Sequence, residues 1–549
     1  MGNETKTRQR SEIPQEFKWD IEDMFASEEQ WEQAMKKALE LGEKFGAFSG
    51  HLGESGSGLL AAMQERDALW QTAEKVYVYA RMKRDEDNRV ASAQAMTDKA
   101  QSMLAKISAA TAFFTPELLE VPRETIDRFM ETTEGLRIYA HVFDELFREK
   151  EHVLSKAEEN ILAQMSEITS ATNDIFSMIN DADIKFGSIE DEDGATVEVT
   201  HGTYIGLMQS HNRRVRKEAF EHMYASYIAQ KNTLAATYNY NTKTDVISAR
   251  IRKYPSAMAA ALSGDNVSTD VYDNLIAVVN EYLPQLHRYM DLRKKMMGVD
   301  EVHMYDVYVP LVEMPKEKIP YEKALEIINE ALKPMGEDYL SRMNKGFASG
   351  WVDVYENEGK TSGAYSFGSY DSKPYMLLNY DGRLQDVFTV IHEMGHSMHS
   401  CYTREVQPFV YGSHSIFTAE VASTVNESLL IQHLLKNAKD VEEKKYLLNL
   451  HLEEFRTTLF RQTMFAEFEK LTHEAVEAGD VLTAEWLSEQ YYGLNRKYFG
   501  DAVVSDEQIA MEWARIPHFY NSFYVYKYAT GYSAATAISK KILTEGEAA

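Results

Sequence analysis

Between about residues 28 and 180 the apolar positions recur every three or four residues, as in LLAAMQERDALWQTAEKVYVYARM, and strand-like alternation is nearly absent. That spacing predicts a run of amphipathic helices. Ser155 followed by Glu158 has the form of a capping box and predicts a helix opening there and running toward Ile179. The pattern then changes to alternation in IKFGSIEDEDGATVEVT, centred on Asp193-Gly194, a pair suited to a tight turn. A small β-hairpin is expected. Helical spacing resumes over 203–297 and again over about 321–345.

Two short extended candidates follow, WVDVYE at 351–356 and PYMLLNY at 374–380, with TSGAYSFGSYDSK between them reading as a loop. From about Leu384 to Leu543 the pattern is helical again, interrupted around Pro408–Gly412, at Gly479 and at Pro517. The fold class is therefore mainly α, with a hairpin and a short sheet. No internal repeat or Pro-rich linker marks a boundary. The chain is read as an N-terminal helical lobe over 1–200 and a catalytic domain over 201–549.

Composition narrows the function. At 549 residues the chain exceeds the size of a single hydrophobic core. Lys and Arg number 58 against 86 Asp and Glu, a net charge of −28, which repels nucleic acid and anionic lipid surfaces. Neither is expected as a partner. The lone Cys401 rules out an intrachain disulfide and a multi-thiolate metal site, so any zinc must sit on His and carboxylate. The N-terminus has no apolar signal region and no window approaches about 18 uninterrupted apolar residues, which points to a cytoplasmic protein.

Candidate chemistry concentrates in LQDVFTVIHEMGHSMHSCYT. His392 and His396 are one helical turn apart on one face and can converge on a single Zn2+ ion. Glu393, on the adjacent stripe, can act on water as general base. Gly395 inside a helix costs about 1 kcal/mol relative to Ala, which makes sense if something approaches the backbone there. For a third ligand, His399 lies about 10 Å along the axis from His392 and is set aside as a neighbour of the site. Glu420 is preferred, because FTAEVASTVNESLLIQHLL begins a second helix after a loop long enough to reverse the chain. Glu427 returns to the same face seven residues later; it either orients a ligand imidazole or is an ordinary surface or helix-pair carboxylate.

HEMGHSMH followed by Glu420 in FTAEVASTVNE resembles the thimet oligopeptidase family, most closely its oligoendopeptidase F branch. GAYSFGSYDSKPYMLLNYDG, FGSIEDEDGATVEVTHGTY and ARIPHFYNSFYVYKYATGYSAA extend the resemblance over nearly the whole chain. It implies a two-lobed ellipsoidal helical shell around a deep channel, with zinc at its floor, that admits short unstructured oligopeptides and cleaves internal bonds. It also implies His392, His396 and Glu420 as ligands and Glu393 as base. The family pattern usually runs some tens of residues past SAATAISKKIL, so a short C-terminus is expected.

Peptide hydrolysis needs a donor for the developing oxyanion. The family draws His and Tyr from the region matching PHFYNSFYVYKYATGY, and His518 with Tyr524 are the candidates, Tyr526 next; the alternative for each tyrosine is core packing. PYMLLNY is expected as an edge strand able to pair with substrate, with Gly363 and Ala364 as substrate-binding candidates. A helical zinc carboxypeptidase is the alternative activity, in which Arg515 would anchor a C-terminal carboxylate.

Overall fold

The computed structural model describes residues 7–313, 317–546 and 549. Helix is the dominant structure from end to end, with two small sheets, as the periodicity predicts. The Ser155 capping box forms: Glu158 accepts from the Ser155 N–H at 2.9 Å, and the helix Lys156–Thr169 follows. The hairpin also forms. Strands β1 (Ser188–Glu190) and β2 (Thr196–Glu198) pair antiparallel with Ile189 opposite Val197, and Gly194 takes a φ of +82° in the turn.

The described chain divides into two compact units, neither of them continuous. One gathers Met1–Lys150, Lys316–Leu434 and Ala535–Ala549; the other gathers Glu151–Pro315 and Leu435–Ala534. A boundary at residue 200, expected from sequence, falls inside the second of these. Reading along a chain finds contiguous domains only, because it carries no information on which distant helices pack together.

In the first unit, helices Glu28–Phe45, Gly56–Asp85 and Ala91–Thr111 pack around a core that includes Trp31, Phe45, Leu59, Leu69 and Met103. Tyr375 and Leu377 belong to the same core, which docks the three-stranded sheet onto these helices. That sheet consists of β3 (Val352–Asp353), β4 (Tyr365–Phe367) and β5 (Tyr375–Leu377), in the order β3-β5-β4. Two sequence expectations are corrected here. TSGAYSFGSYDSK is more than a loop, since it contains β4; and PYMLLNY supplies the central strand instead of an edge. β5 is parallel to β3 and antiparallel to β4, and its three residues are buried. Burial on both faces is what its unbroken apolar run encodes. The outer edges of the sheet therefore belong to β3 and β4.

A buried cation ties the sheet to the start of the chain. Lys360 Nζ lies 2.7 Å from Asp353 Oδ1, the two side chains being 0% and 1% exposed, and it donates to the carbonyls of Tyr355 and Leu378. Arg10 reaches the other Asp353 oxygen at 2.6 Å, and the Phe17 carbonyl accepts from the Val354 N–H. Removing one member of such a pair leaves an uncompensated buried charge. Lys360→Met is expected to cost about 3 kcal/mol in urea unfolding, the low end for a broken buried pair because Arg10 remains; a change below about 1 kcal/mol would show that the pair is not an anchor.

Candidate metal centre

The HEMGH segment lies inside a 23-residue helix, Leu384–Val406, here called the motif helix. After the short turn around Phe409–Tyr411 the chain reverses into a second helix, Ile416–Lys436. At the crossing the two come within backbone contact. A Cβ on Gly395 would sit 2.6 Å from the Ser423 Cα and 3.0 Å from the Ala422 carbonyl oxygen, closer than any side chain tolerates. Asn426 fastens the crossing from the same side: its side-chain amide, 1% exposed, donates to the Ile391 carbonyl at 3.2 Å and to Tyr339 Oη at 2.9 Å.

That crossing brings three candidate ligand atoms together. The Nε2 atoms of His392 and His396 are 3.2 Å apart, and Glu420 Oε2 lies 3.5 Å from the first and 3.9 Å from the second. Among the described residues these three form the one His, Cys, Asp or Glu group compact enough to hold a metal. Glu427 Oε1 stands 3.2 Å from His392 Nδ1 and so accepts its proton, leaving the Nε2 lone pair aimed at the other two ligands. The His396 ring donates to the Ala419 backbone carbonyl. Once His392 gives up its second proton, two imidazole lone pairs and a carboxylate face one another, a donor set that fits a cation.

Electrostatics agree. Burial disfavours the charged form of His392, but its hydrogen bond with Glu427 and the surrounding carboxylates outweigh burial and raise its pKa to about 9. Burial and the neighbouring His392 charge push His396 down to about 3. Without metal, the site holds one positive charge on the pair of rings instead of two. Glu393 is 8% exposed and burial raises its carboxyl pKa to about 7. Its carboxylate accepts the Ser366 backbone N–H of β4, which sets it beside the outer edge of the sheet. Ser366 Oγ also meets Ser397 Oγ of the motif helix at 2.8 Å. Ser366 escaped the sequence reading because a three-residue strand among Gly and Ser carries no periodicity.

His399 stays outside the metal group and stacks on His414, ring centroids 3.8 Å apart. Gly363 and Ala364 lie just before β4 and line a cavity of about 230 Å³ with Asn379, Tyr380 and Thr389. The oxyanion candidates all lie in the second unit. His518 is half-buried and its ring lies 6.5 Å from that of Tyr524 and 6.1 Å from that of Tyr528. Tyr526 is fully buried against Tyr272, ring centroids 5.1 Å apart, the core arrangement weighed for it from sequence. Arg515 Nη1 lies 3.6 Å from Glu512, and its guanidinium lies over the Tyr204 ring.

A mainly helical frame with two histidines one turn apart, a carboxylate from the next helix and a buried glutamate beside them defines a metallopeptidase. The family model for peptidase family M3 matches residues 206–549, and that for oligopeptidase F matches residues 117–186. Oligopeptidase PepF of Bacillus subtilis is 46% identical over 100% of this chain and 82% of its own length; group B oligopeptidase PepB of Streptococcus agalactiae is 44% identical over 97% and 89%. Among solved structures, a peptidase from Chlamydophila abortus superposes with a TM-score of 0.91 at 34% identity, covering 98% of this chain and 91% of its own. An oligoendopeptidase F from Enterococcus faecium gives 0.69 at 37%, covering 94% and 89%. The chain belongs to peptidase family M3 and is a metalloendopeptidase.

Gly395→Ala tests the crossing. On an unconstrained helix the change would stabilise by about 1 kcal/mol; here it must push Ser423 and Glu420 away from the histidines. Metal affinity is expected to fall at least about 10-fold with helical circular dichroism retained, and unchanged affinity would show that the contact does not set the site. Glu427→Gln is expected to weaken metal binding by about 10- to 100-fold in the same titration.

Proposed function

We propose that the protein is a zinc-dependent endopeptidase that hydrolyses internal bonds of short, unstructured oligopeptides, with His392, His396 and Glu420 as ligands and Glu393 as general base. The observation that carries the reading is the ligand triangle. Ligand atoms around a tetrahedral ion with bonds of about 2.0–2.1 Å stand about 3.3–3.4 Å apart. The separations of 3.2, 3.5 and 3.9 Å bracket that value. Two imidazoles and one carboxylate are the donor set of catalytic zinc, which keeps a coordination position open.

Zinc bound there supplies Lewis acidity, polarising the scissile carbonyl and making water more acidic. Glu427 fixes the His392 tautomer so that Nε2 faces inward. Glu393 stands outside the triangle, and its burial makes the carboxylate basic, suited to taking a proton from the attacking water and delivering it to the leaving amine. A peptide laid along the outer edge of β4, past Gly363 and Ala364, would be held through its backbone, which suits a broad range of sequences. His518 and Tyr524 are assigned as donors to the developing oxyanion, ahead of Tyr526, whose ring is committed to the core.

The oligopeptide preference is supported by the relatives' names. An endopeptidase needs no anchor for a free C-terminus, and Arg515, the candidate for that task in a carboxypeptidase, lines a small enclosed cavity of the second unit beside Glu512. A cytoplasmic location fits the lone cysteine and the surface charge; among the described residues no helix is long and apolar enough to cross a membrane.

Glu393→Gln is expected to lower kcat by about 10²- to 10⁴-fold while retaining one zinc per chain by elemental analysis. His392→Ala should lose both zinc and activity. A peptide and its C-terminally amidated twin should be cut at the same internal bonds. Full activity of Glu393→Gln, or cleavage that requires the free carboxylate, would overturn the reading.

A further inference from the structure

The second unit contains a small buried cavity lined by three guanidiniums, those of Arg456, Arg461 and Arg515, and by a single carboxylate, Glu512. Two unusual helices aim these groups. Arg456 and Arg461 are five residues apart, which on an α-helix would turn them about 140° away from each other. The segment Phe455–Arg461 is instead a π-helix, whose wider turn returns residue i+5 to the face of residue i. Glu512 and Arg515 close a 3-10 helix of nine residues, Glu507–Arg515, unusually long for its kind, in which residues i and i+3 eclipse. Both departures from α-helical pitch direct charge at the same point.

The charges there do not cancel. Glu512 is shared by Arg461, at 2.7 and 3.2 Å, and Arg515, at 3.6 Å. Glu453 is likewise shared by Arg456, at 2.7 and 3.0 Å, and Arg293, at 2.8 Å. Four guanidiniums thus face two carboxylates, with the Arg293, Arg456 and Glu512 side chains 1%, 4% and 2% exposed. Arg515 Nε is buried and makes no hydrogen bond. The Tyr308 and Tyr204 rings lie 5.1 and 5.0 Å from the Arg456 and Arg515 guanidiniums; they soften the field and bring no formal charge. Uncompensated buried charge is costly, and in a chain of net charge −28 an interior surplus of arginine is the reverse of the overall balance.

We propose that this cavity binds one monovalent, halide-sized anion, chloride under physiological conditions, held between Arg456, Arg461 and Arg515. The cavity, about 10 Å³, has room for a single species of about that size and none for phosphate or a peptide carboxylate. Bound there, the anion ties the π-helix to the 3-10 helix, which leads two residues later into the turn Pro517–Tyr520 carrying His518. The site lies wholly in the second unit.

Thermal unfolding of the intact protein, at fixed ionic strength with sodium gluconate replaced stepwise by sodium chloride, tests this directly. A saturable rise in Tm of at least about 2 °C is expected. Arg515→Leu should abolish the chloride dependence; should that variant fail to fold, the wild-type titration and diffraction decide. Crystals soaked in bromide should show an anomalous peak between the three arginines. Equal Tm in the two salts, a non-saturating rise, or no bromide in the cavity overturns the proposal. A bromide peak without the solution effect means binding at crystal concentration only and overturns it equally.

Discussion

The candidate metal centre depends on two helices meeting without a side chain between them. With no Cβ at residue 395, the Ser423 and Ala422 backbone lies directly against the motif helix. Helices separated by ordinary side chains sit about 8–10 Å apart, a range set by the residues at the contact. A closer crossing is what lets the short side chain of Glu420 reach both imidazoles while Glu427, two turns on, reaches the outer nitrogen of one of them. Asn426 then makes the register unique, because its amide can satisfy the Ile391 carbonyl at one position only. A helix-propensity penalty of about 1 kcal/mol at Gly395 is small against what the contact positions.

Charge in the first unit follows from that packing. Glu420, Glu427 and Glu393 are gathered around two histidines, an excess of acid that a divalent cation offsets and that protonation of His392 offsets only in part. Glu393 differs from the other two by its environment. It is the more buried, it takes the β4 N–H, and it stays out of the ligand triangle. One carboxylate is thereby left beside a strand edge, which joins the short sheet to the candidate metal site although neither is large.

What could be read from the sequence was whatever repeats with the α-helical period. His392 and His396 share a face because they are one turn apart; Glu420 and Glu427 do so because they are two turns apart on the next helix. Gly395 was interpretable because a glycine in that setting has a cost that calls for a reason. The hairpin was legible from Asp193-Gly194 and its flanking alternation. The order β3-β5-β4 was not, since strands of two or three residues have too few positions to reveal which is central, and an apolar run such as PYMLLNY fits an edge or a middle. The discontinuous units were equally hidden, because long-range packing leaves no trace in local spacing.

The same reasoning explains why the arginine cavity escaped notice. Read at α-helical pitch, FRTTLFR places Arg456 and Arg461 on different faces, and EQIAMEWAR offers Glu512 and Arg515 as an ordinary i,i+3 ion pair; nothing brings the two segments together. A π-helical turn is intrinsically unfavourable and rare, and a nine-residue 3-10 helix has strained hydrogen bonds, so both persist where tertiary interactions outweigh their local cost. In the first unit a regular helix suffices, because two imidazoles one turn apart already converge. In the second unit Arg456 and Arg461 are five residues apart, and it is the π-helical turn that returns them to one face. Departures from regular helix are thus the places where the convergence of side chains is least visible in the sequence and most visible in the fold.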